Sequence, residues 1–248
     1  MTVSTPHVGL SGHWLAYVES GDVFIADLTN PPGWPELPQK DITFVGSRLY
    51  PLVSPSGLLV ANTYIGPDLD LKGIRISRND QSGVETLVTP PSRQTSGSDR
   101  AIGWFPGEDS LLIMQSDPDR EYSIIHADGT GKRPLGISGV NAFVTVALSP
   151  TGRFVAVAGH GTASIGGDTS RTITIHDLAT GRPVRSLLVD QPVYRVLWSP
   201  DERFLAYNPP TERFDLAIVE LATEAETVLL NIPGLILRSV WANTPPAP

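Results

Sequence analysis

One phrase recurs along this chain and constrains its fold more than any bulk property. It reads Ser149-Pro150-Thr151-Gly152-Arg153-Phe154-Val155-Ala156-Val157, then Ser199-Pro200-Asp201-Glu202-Arg203-Phe204-Leu205-Ala206-Tyr207. Ser54-Pro55-Ser56-Gly57-Leu58-Leu59-Val60-Ala61 is a third copy, Phe105-Pro106-Gly107-Glu108-Asp109-Ser110-Leu111-Leu112-Ile113 a looser fourth, and Ser11-Gly12-His13-Trp14-Leu15-Ala16-Tyr17 a shortened fifth. The prolines at 55, 106, 150 and 200 are 51, 44 and 50 residues apart. Self-similarity at such a period marks a repeat architecture. Each copy says the same thing locally: proline ends one strand, a polar and glycine pair turns the chain, and an apolar strand follows.

Four strands fit between successive copies. In the fourth repeat these are Thr145–Leu148, Phe154–Ala158, Thr172–His176 and Pro183–Leu188, with a glycine-rich stretch 159–171 and a turn at Asp177–Gly181. Thr172–His176 alternates polar and apolar, as a half-buried strand does. The fifth repeat gives Val193–Trp198, Phe204–Tyr207, Leu216–Glu220 and Glu226–Leu230. The third gives Ala101–Trp104, Leu111–Gln115, Tyr122–His126 and a turn at Asp128–Gly131. The second gives Tyr50–Val53, Leu58–Thr63, Gly73–Ser77 and Glu85–Val88, and the first Val8–Leu10, Trp14–Glu19, Val23–Asp27 and Ile42–Val45. Four antiparallel strands per repeat of this length make one propeller blade.

The fold class expected is therefore all-β, a β-propeller of four-stranded antiparallel blades. The preferred count is five, in one domain over 1–243 with a proline-rich tail at 244–248. Leu237–Asn243 resembles Tyr194–Pro200 and reads as a first strand with no blade behind it. It would close the ring by completing the first blade, which removes an exposed sheet edge. The alternative is a six-blade propeller truncated one strand into its last blade.

These repeats resemble the TolB-like members of the WD-repeat propeller superfamily. Leu197-Trp198-Ser199-Pro200-Asp201, with Arg203-Phe204-Leu205-Ala206-Tyr207, fits that family's phrase, and Tyr122–Leu135 resembles its second half. Ile173–Gly181 is closer to an ordinary WD repeat, with His176-Asp177 where Trp-Asp is usual. The resemblance spans about residues 8–243 and implies a fold more than an activity. Small Ala61, Ala156 and Ala206 are expected to let blades approach closely, and Trp104, Trp198 and Trp241 to fill the gaps between them. Trp34, in the proline-rich insertion Asn30–Pro38, sits where strand pairing is excluded.

Charge narrows the partners. Lys and Arg number 18 against 26 Asp and Glu, a net −8. That argues against nucleic acid, which needs a basic face, and against an anionic membrane. A protein partner is expected, a basic one being favoured by the charge, with the domain itself monomeric. No cysteine is present, so disulfides, thiolate metal sites and cysteine nucleophiles are excluded. Residues 1–7 show no signal peptide, and a cytoplasmic location is expected if Met1 is the native start.

No motif of catalysis or cofactor binding occurs: no Gly-x-Ser-x-Gly elbow, no phosphate loop, no dinucleotide fingerprint. His7, His13, His126, His160 and His176 lack zinc-motif spacing, so neither a metal nor a cofactor is expected. His126 and His176 read as equivalent strand ends. Acids gather between the second and third strands of the repeats, with Arg120, Arg171 and Arg213 among them. The contact residues expected are Asp68, Asp70, Asp117, Asp119, Arg120, His160, Asp168 and Arg171. A non-catalytic scaffold that binds a protein or polar ligand through these loops is the leading reading. The alternatives are a carbohydrate-active or other hydrolytic enzyme with a central carboxylate site, and a fragment of a larger sensor or secretion protein. First strands poor in acids weigh against the enzyme.

Overall fold

A computed structural model describes residues 8–11, 14–19, 22–27, 40–41, 47–65, 71–78, 85–89, 92–93, 99–115, 121–136, 144–159, 171–193, 195–208 and 214–232. The chain divides into two compact units, Met1–Pro134 and Leu135–Pro248. All regular structure among the described residues is β.

In the first unit, β1 (Val8–Ser11), β2 (Trp14–Glu19), β3 (Asp22–Asp27) and β4 (Lys40–Asp41) form one sheet in chain order. The second sheet runs β5 (Ser47–Val53), β6 (Leu59–Ile65), β7 (Leu71–Arg78) and β8 (Glu85–Leu87), and β9 (Ser92–Arg93) also pairs with β7. The third contains β10 (Arg100–Trp104), β11 (Ser110–Gln115), β12 (Glu121–His126) and β13 (Arg133–Pro134). In the second unit, one sheet has β14 (Val144–Leu148), β15 (Phe154–Gly159), β16 (Thr172–Asp177) and β17 (Pro183–Leu188). The other has β18 (Arg195–Trp198), β19 (Phe204–Asn208), β20 (Phe214–Glu220) and β21 (Glu226–Ile232). Every pairing is between antiparallel neighbours, the meander of a propeller blade.

Four sheets are regular four-stranded blades, one fewer than the five the repeated phrase suggests. The sheet opened by Ser47 departs because β8 pairs with β7 over Arg75–Ser77, leaving the start of β7 for β9 at Leu71 and Lys72. Among the described residues the fourth strand of the first sheet is Lys40–Asp41, and the strand expected at Ile42–Val45 lies outside them. The closing strand expected at 237–243, with Trp241, and the insertion with Trp34 also lie outside it.

The phrase has a physical explanation. The Ser54, Ser149 and Ser199 side chains are buried, and each hydroxyl accepts the N–H five residues on, at Leu59, Phe154 and Phe204 (3.1, 3.1 and 2.9 Å). Each serine carbonyl accepts the N–H three residues on, closing a turn with proline at its second position. The residue that closes the turn, Gly57, Glu108, Gly152 or Glu202, is left-handed in all four described copies (φ 77, 58, 72 and 56°). Glycine adopts that backbone freely, whereas glutamate adopts it at a cost of about 1 kcal/mol.

The glutamates have long-range partners. Glu202 Oε1 accepts the Thr151 N–H and the Thr151 hydroxyl, both at 2.7 Å. Glu108 accepts the Ser56 N–H with one oxygen and the Ser56 hydroxyl with the other, the latter at 2.6 Å. A tryptophan repeats the same link: Trp198 Nε1–H donates to the Ala147 carbonyl (3.0 Å), and Trp104 Nε1–H to the Leu52 carbonyl (2.9 Å).

Apolar side chains fill the space behind these bonds. Ala61, Ile76, Val88, Ala101, Trp104, Leu111 and Ile113 form one buried cluster between the second and third sheets. Ala156, Ile175, Leu187, Val196, Trp198, Leu205 and Val219 form its counterpart between the last two. Ala61 and Ala156 are fully buried in these clusters, as expected of small residues where blades approach. Phe154 stacks on Trp198 with ring centroids 6.4 Å apart, and Arg153 covers the other reach of Phe154 at 4.7 Å.

Candidate functional site

Most of the expected contact residues cannot be placed. Asp68, Asp70, Asp117, Asp119, Arg120, His160 and Asp168 lie outside the described residues. Arg171 is described and exposed. Its Nε–H donates to the Val189 carbonyl at 3.0 Å, and its own carbonyl accepts the Val189 N–H. It thus ties the start of β16 to the residue just after β17.

The strand ends that these segments join are well defined. β6 ends at Ile65 opposite Ser47, β11 at Gln115 beside Arg100 and Met114, β15 at Gly159 opposite Val144, and β19 at Asn208 opposite Arg195. Segments 66–70, 116–120, 160–170 and 209–213 therefore all start at the end of the sheet where its first strand begins. The Ser-Pro turns lie at the other end.

In the first unit this end holds a polar cluster that sequence reasoning missed. Asp99, just ahead of β10, is 2% exposed. Its carbonyl accepts the fully buried Thr63 hydroxyl at 2.5 Å, and its carboxylate accepts Gln115 Nε2–H at 3.5 Å. The Arg100 guanidinium lies 5.7 Å from the centre of the Tyr50 ring. Tyr50 is itself left-handed (φ 54°), at the irregularity between Leu49 and Leu52 where β5 slips register on β6. Arg100 Nε and Gln115 Oε1 are buried without a hydrogen-bond partner. The one sequence signal was Pro51 inside an apolar strand, which marks a bulge or edge. Chemically the cluster offers a carboxylate, an amide, a guanidinium and a threonine hydroxyl.

In the second unit the Tyr207 hydroxyl donates to Glu226 Oε1 at 2.5 Å, and Glu226 Oε2 accepts the Asp190 N–H at 3.0 Å. Burial, then the adjacent Glu226 carboxylate, pushes the Tyr207 phenol well above its ordinary range. It stays a hydrogen-bond donor and is no candidate base.

The two histidines are not equivalent. Register puts His126 opposite Ser110 and Asp177 opposite Phe154, so His126 corresponds to Asp177 and His176 lies one residue earlier. The Ser110 hydroxyl is 3.2 Å from His126 Nδ1, whereas His176 Nδ1 is buried without a partner. Asp177 instead accepts the Ala179 and Thr180 N–H groups, both at 3.0 Å, and organises the turn after β16. Among the described residues no three His, Asp or Glu side chains are grouped to hold a metal ion, and no helix is long and apolar enough to cross a membrane.

No family model matches the chain, and no curated protein matches it in sequence. Solved structures do match. A putative TolB from Agrobacterium tumefaciens superposes with a TM-score of 0.68 at 14% identity, over 91% of this chain and 80% of that one. A nidogen/laminin complex matches at 0.61 and 16% identity, over 88% and 77%. An oligogalacturonate lyase in complex with manganese matches at 0.61 and 11% identity, over 88% of this chain and 63% of the lyase. The fold shared with these structures is that of a β-propeller. At these identities the likeness concerns fold alone.

Proposed function

We propose that this chain is a non-catalytic propeller module that binds a protein or polar ligand through the segments joining its second and third strands. The observation that supports this reading is the position of the strand ends from which those segments leave. β6, β11, β15 and β19 each end where the first strand of their own sheet begins, away from that sheet's hydrogen-bonded turn, so each sheet sends variable sequence out from the same end of its own strands. Asp68, Asp70, Asp117, Asp119, Arg120, His160, Asp168 and Arg171 are the contacts proposed. The net charge of −8 favours a basic partner surface. That one structural neighbour comes from a nidogen/laminin complex lends support to a protein partner. In this proposal residues 237–243 supply a further strand to the first sheet.

The test is affinity capture with the whole chain and with Asp117→Ala/Asp119→Ala/Arg120→Ala, beside Asp109→Ala at the Ser-Pro end. Loss of the captured partner in the triple variant alone is expected. A partner retained by the triple variant would refute the loop surface.

One observation favours a second reading, a carbohydrate-active enzyme. Asp99 is a buried carboxylate at the head of a first strand, where the strands themselves are poor in acids, and a lyase shares the fold. Turnover of any member of a carbohydrate panel would favour it over the binding module.

A further inference from the structure

The outer strand of a sheet offers unpaired backbone to any strand that can reach it. Among the described residues the last strands of the first three sheets, β4, β8 and β13, run only two or three residues. β17 runs six, ends its sheet, and pairs with β16. Exposure alternates along it. Arg182, Val184, Ser186, Leu188 and Asp190 are exposed, Arg185 is half-buried, and Leu187 and Val189 are buried. The odd-numbered side chains are committed to the sheet of β18–β21: Arg185 contacts Glu224 at 2.8 Å, and Leu187 and Val189 join the buried cluster with Val196 and Leu205. The even-numbered set leaves two large apolar side chains in water, Val184 at 55% and Leu188 at 79%. The backbone alternates too. The Val189 N–H donates to the Arg171 carbonyl, so the amides of Val189 and Leu187 face β16 and those of Ser186 and Leu188 face outward. Pro183 and the register shift between Ile175 and His176 guard the start of β17. Ser186-Leu187-Leu188 carries no proline and no charge.

This edge complements itself. Pairing it antiparallel with a second copy, with Ser186 on the two-fold axis, sets Val184 against Leu188 of the second copy and Arg182 against its Asp190, each pair occurring twice. Moving the axis to Arg185 would oppose two guanidinium groups, and moving it to Leu187 would set Val184 against Asp190. Of these three registers, the one at Ser186 matches apolar with apolar and cation with anion. We infer that β17 is a self-association edge: two copies of this chain join through an antiparallel β17–β17 ladder centred on Ser186, in place of the monomer expected from the sequence. The Ser186 N–H of each copy donates to the Ser186 carbonyl of the other, and Val184 and Leu188 are covered. One strand a side makes a small interface, so the dimer forms at high concentration and exchanges readily. It does not depend on the binding reading above.

Sedimentation equilibrium of the full chain from about 1 μM to about 1 mM tests this. The mass is expected to rise from one chain towards two. Leu188→Lys should weaken the dimer by about tenfold, because the altered pair occurs twice. Arg182→Asp and Asp190→Arg should each weaken it, and the two together should restore it. These positions are exposed, so each variant should keep the unfolding midpoint of the parent. The chain has no cysteine, so Ser186→Cys adds a sole thiol on the axis, where paired Cα atoms about 5.5 Å apart suit a disulfide. Mild oxidation should cross-link it at least tenfold faster than Ala222→Cys, placed in an exposed turn. A single-chain mass at every concentration would overturn the inference, as would a dimer untouched by Leu188→Lys. So would a charge-swapped double variant no tighter than the single ones, or equal cross-linking at the two thiol positions.

Discussion

Glu108 and Glu202 hold the least comfortable backbone in their turns, and they hold it for partners about fifty residues away. Such a role is invisible locally. The Ser-Pro pair and the turn glycines were legible because the forces on them act within six residues: a hydroxyl reaching one N–H, a ring that fixes φ, and a backbone that must go left-handed. Gly129 and Gly181 separate the two kinds of constraint. Both are left-handed (φ 85 and 68°), but a Cβ on Gly129 would meet the Leu87 carbonyl oxygen at 2.9 Å, whereas one on Gly181 would meet nothing within 4 Å. Gly181→Ala is expected to cost about 1 kcal/mol, the backbone penalty alone. Gly129→Ala should cost about 2–4 kcal/mol, because backbone must also move. Urea unfolding midpoints of the two variants check this, and equal losses would mean that the neighbouring sheet yields freely.

At the scale of the strand, period-two patterning carried most of the information. β16 alternates half-buried and buried residues along Thr172–Asp177, as its sequence suggests. β9 was not legible, because two residues carry no period and their partner Leu71 lies a segment away. The equivalence of His126 and Asp177 was hidden by a similar limit, since composition aligns histidine with histidine while pairing aligns by register.

The turn after β16 shows what the aspartate contributes. The Thr180 N–H is the main influence on the Asp177 carboxyl, opposed by burial and reinforced by the Thr180 hydroxyl and Arg153, and together they hold it below its ordinary range. Asp201 is lowered chiefly by the Ser199 hydroxyl and then the Arg203 N–H. Glu202 is lowered too, burial pushing it up but the two Thr151 bonds outweighing that. A carboxyl lowered on folding stabilises the fold above its unfolded pKa, and that contribution disappears as pH falls through the folded value. Stability should therefore drop below about pH 4, the unfolded carboxylate range. Asp177→Asn, Asp201→Asn and Glu202→Gln should each flatten the drop, seen as a shallower fall of the unfolding midpoint with pH. A slope unchanged in all three would move the acid sensitivity elsewhere.

For the molecule as a whole, the repeated phrase made the architecture legible because every blade must solve the same turn. The polar cluster around Asp99 was not, since Thr63, Asp99 and Gln115 come together only through sheet pairing and blade packing. The proposed acidic end rests on charge and strand direction, both of which the sequence carries. The segment 237–243 is the remaining question of pairing at this scale. Residues 237–243 repeat the first-strand pattern of β18, with Leu237-Arg238-Ser239-Val240-Trp241 set against Tyr194-Arg195-Val196-Leu197-Trp198. The first sheet has four short strands, the last of only two residues. A strand added there would gain main-chain hydrogen bonds and bury apolar side chains. Deleting residues 235–248 should then lower the unfolding midpoint sharply and speed exchange most in β2 and β3 of the first sheet. An unchanged midpoint, with exchange in β2 and β3 as slow as before, would mean that residues 237–243 add no strand to the first sheet.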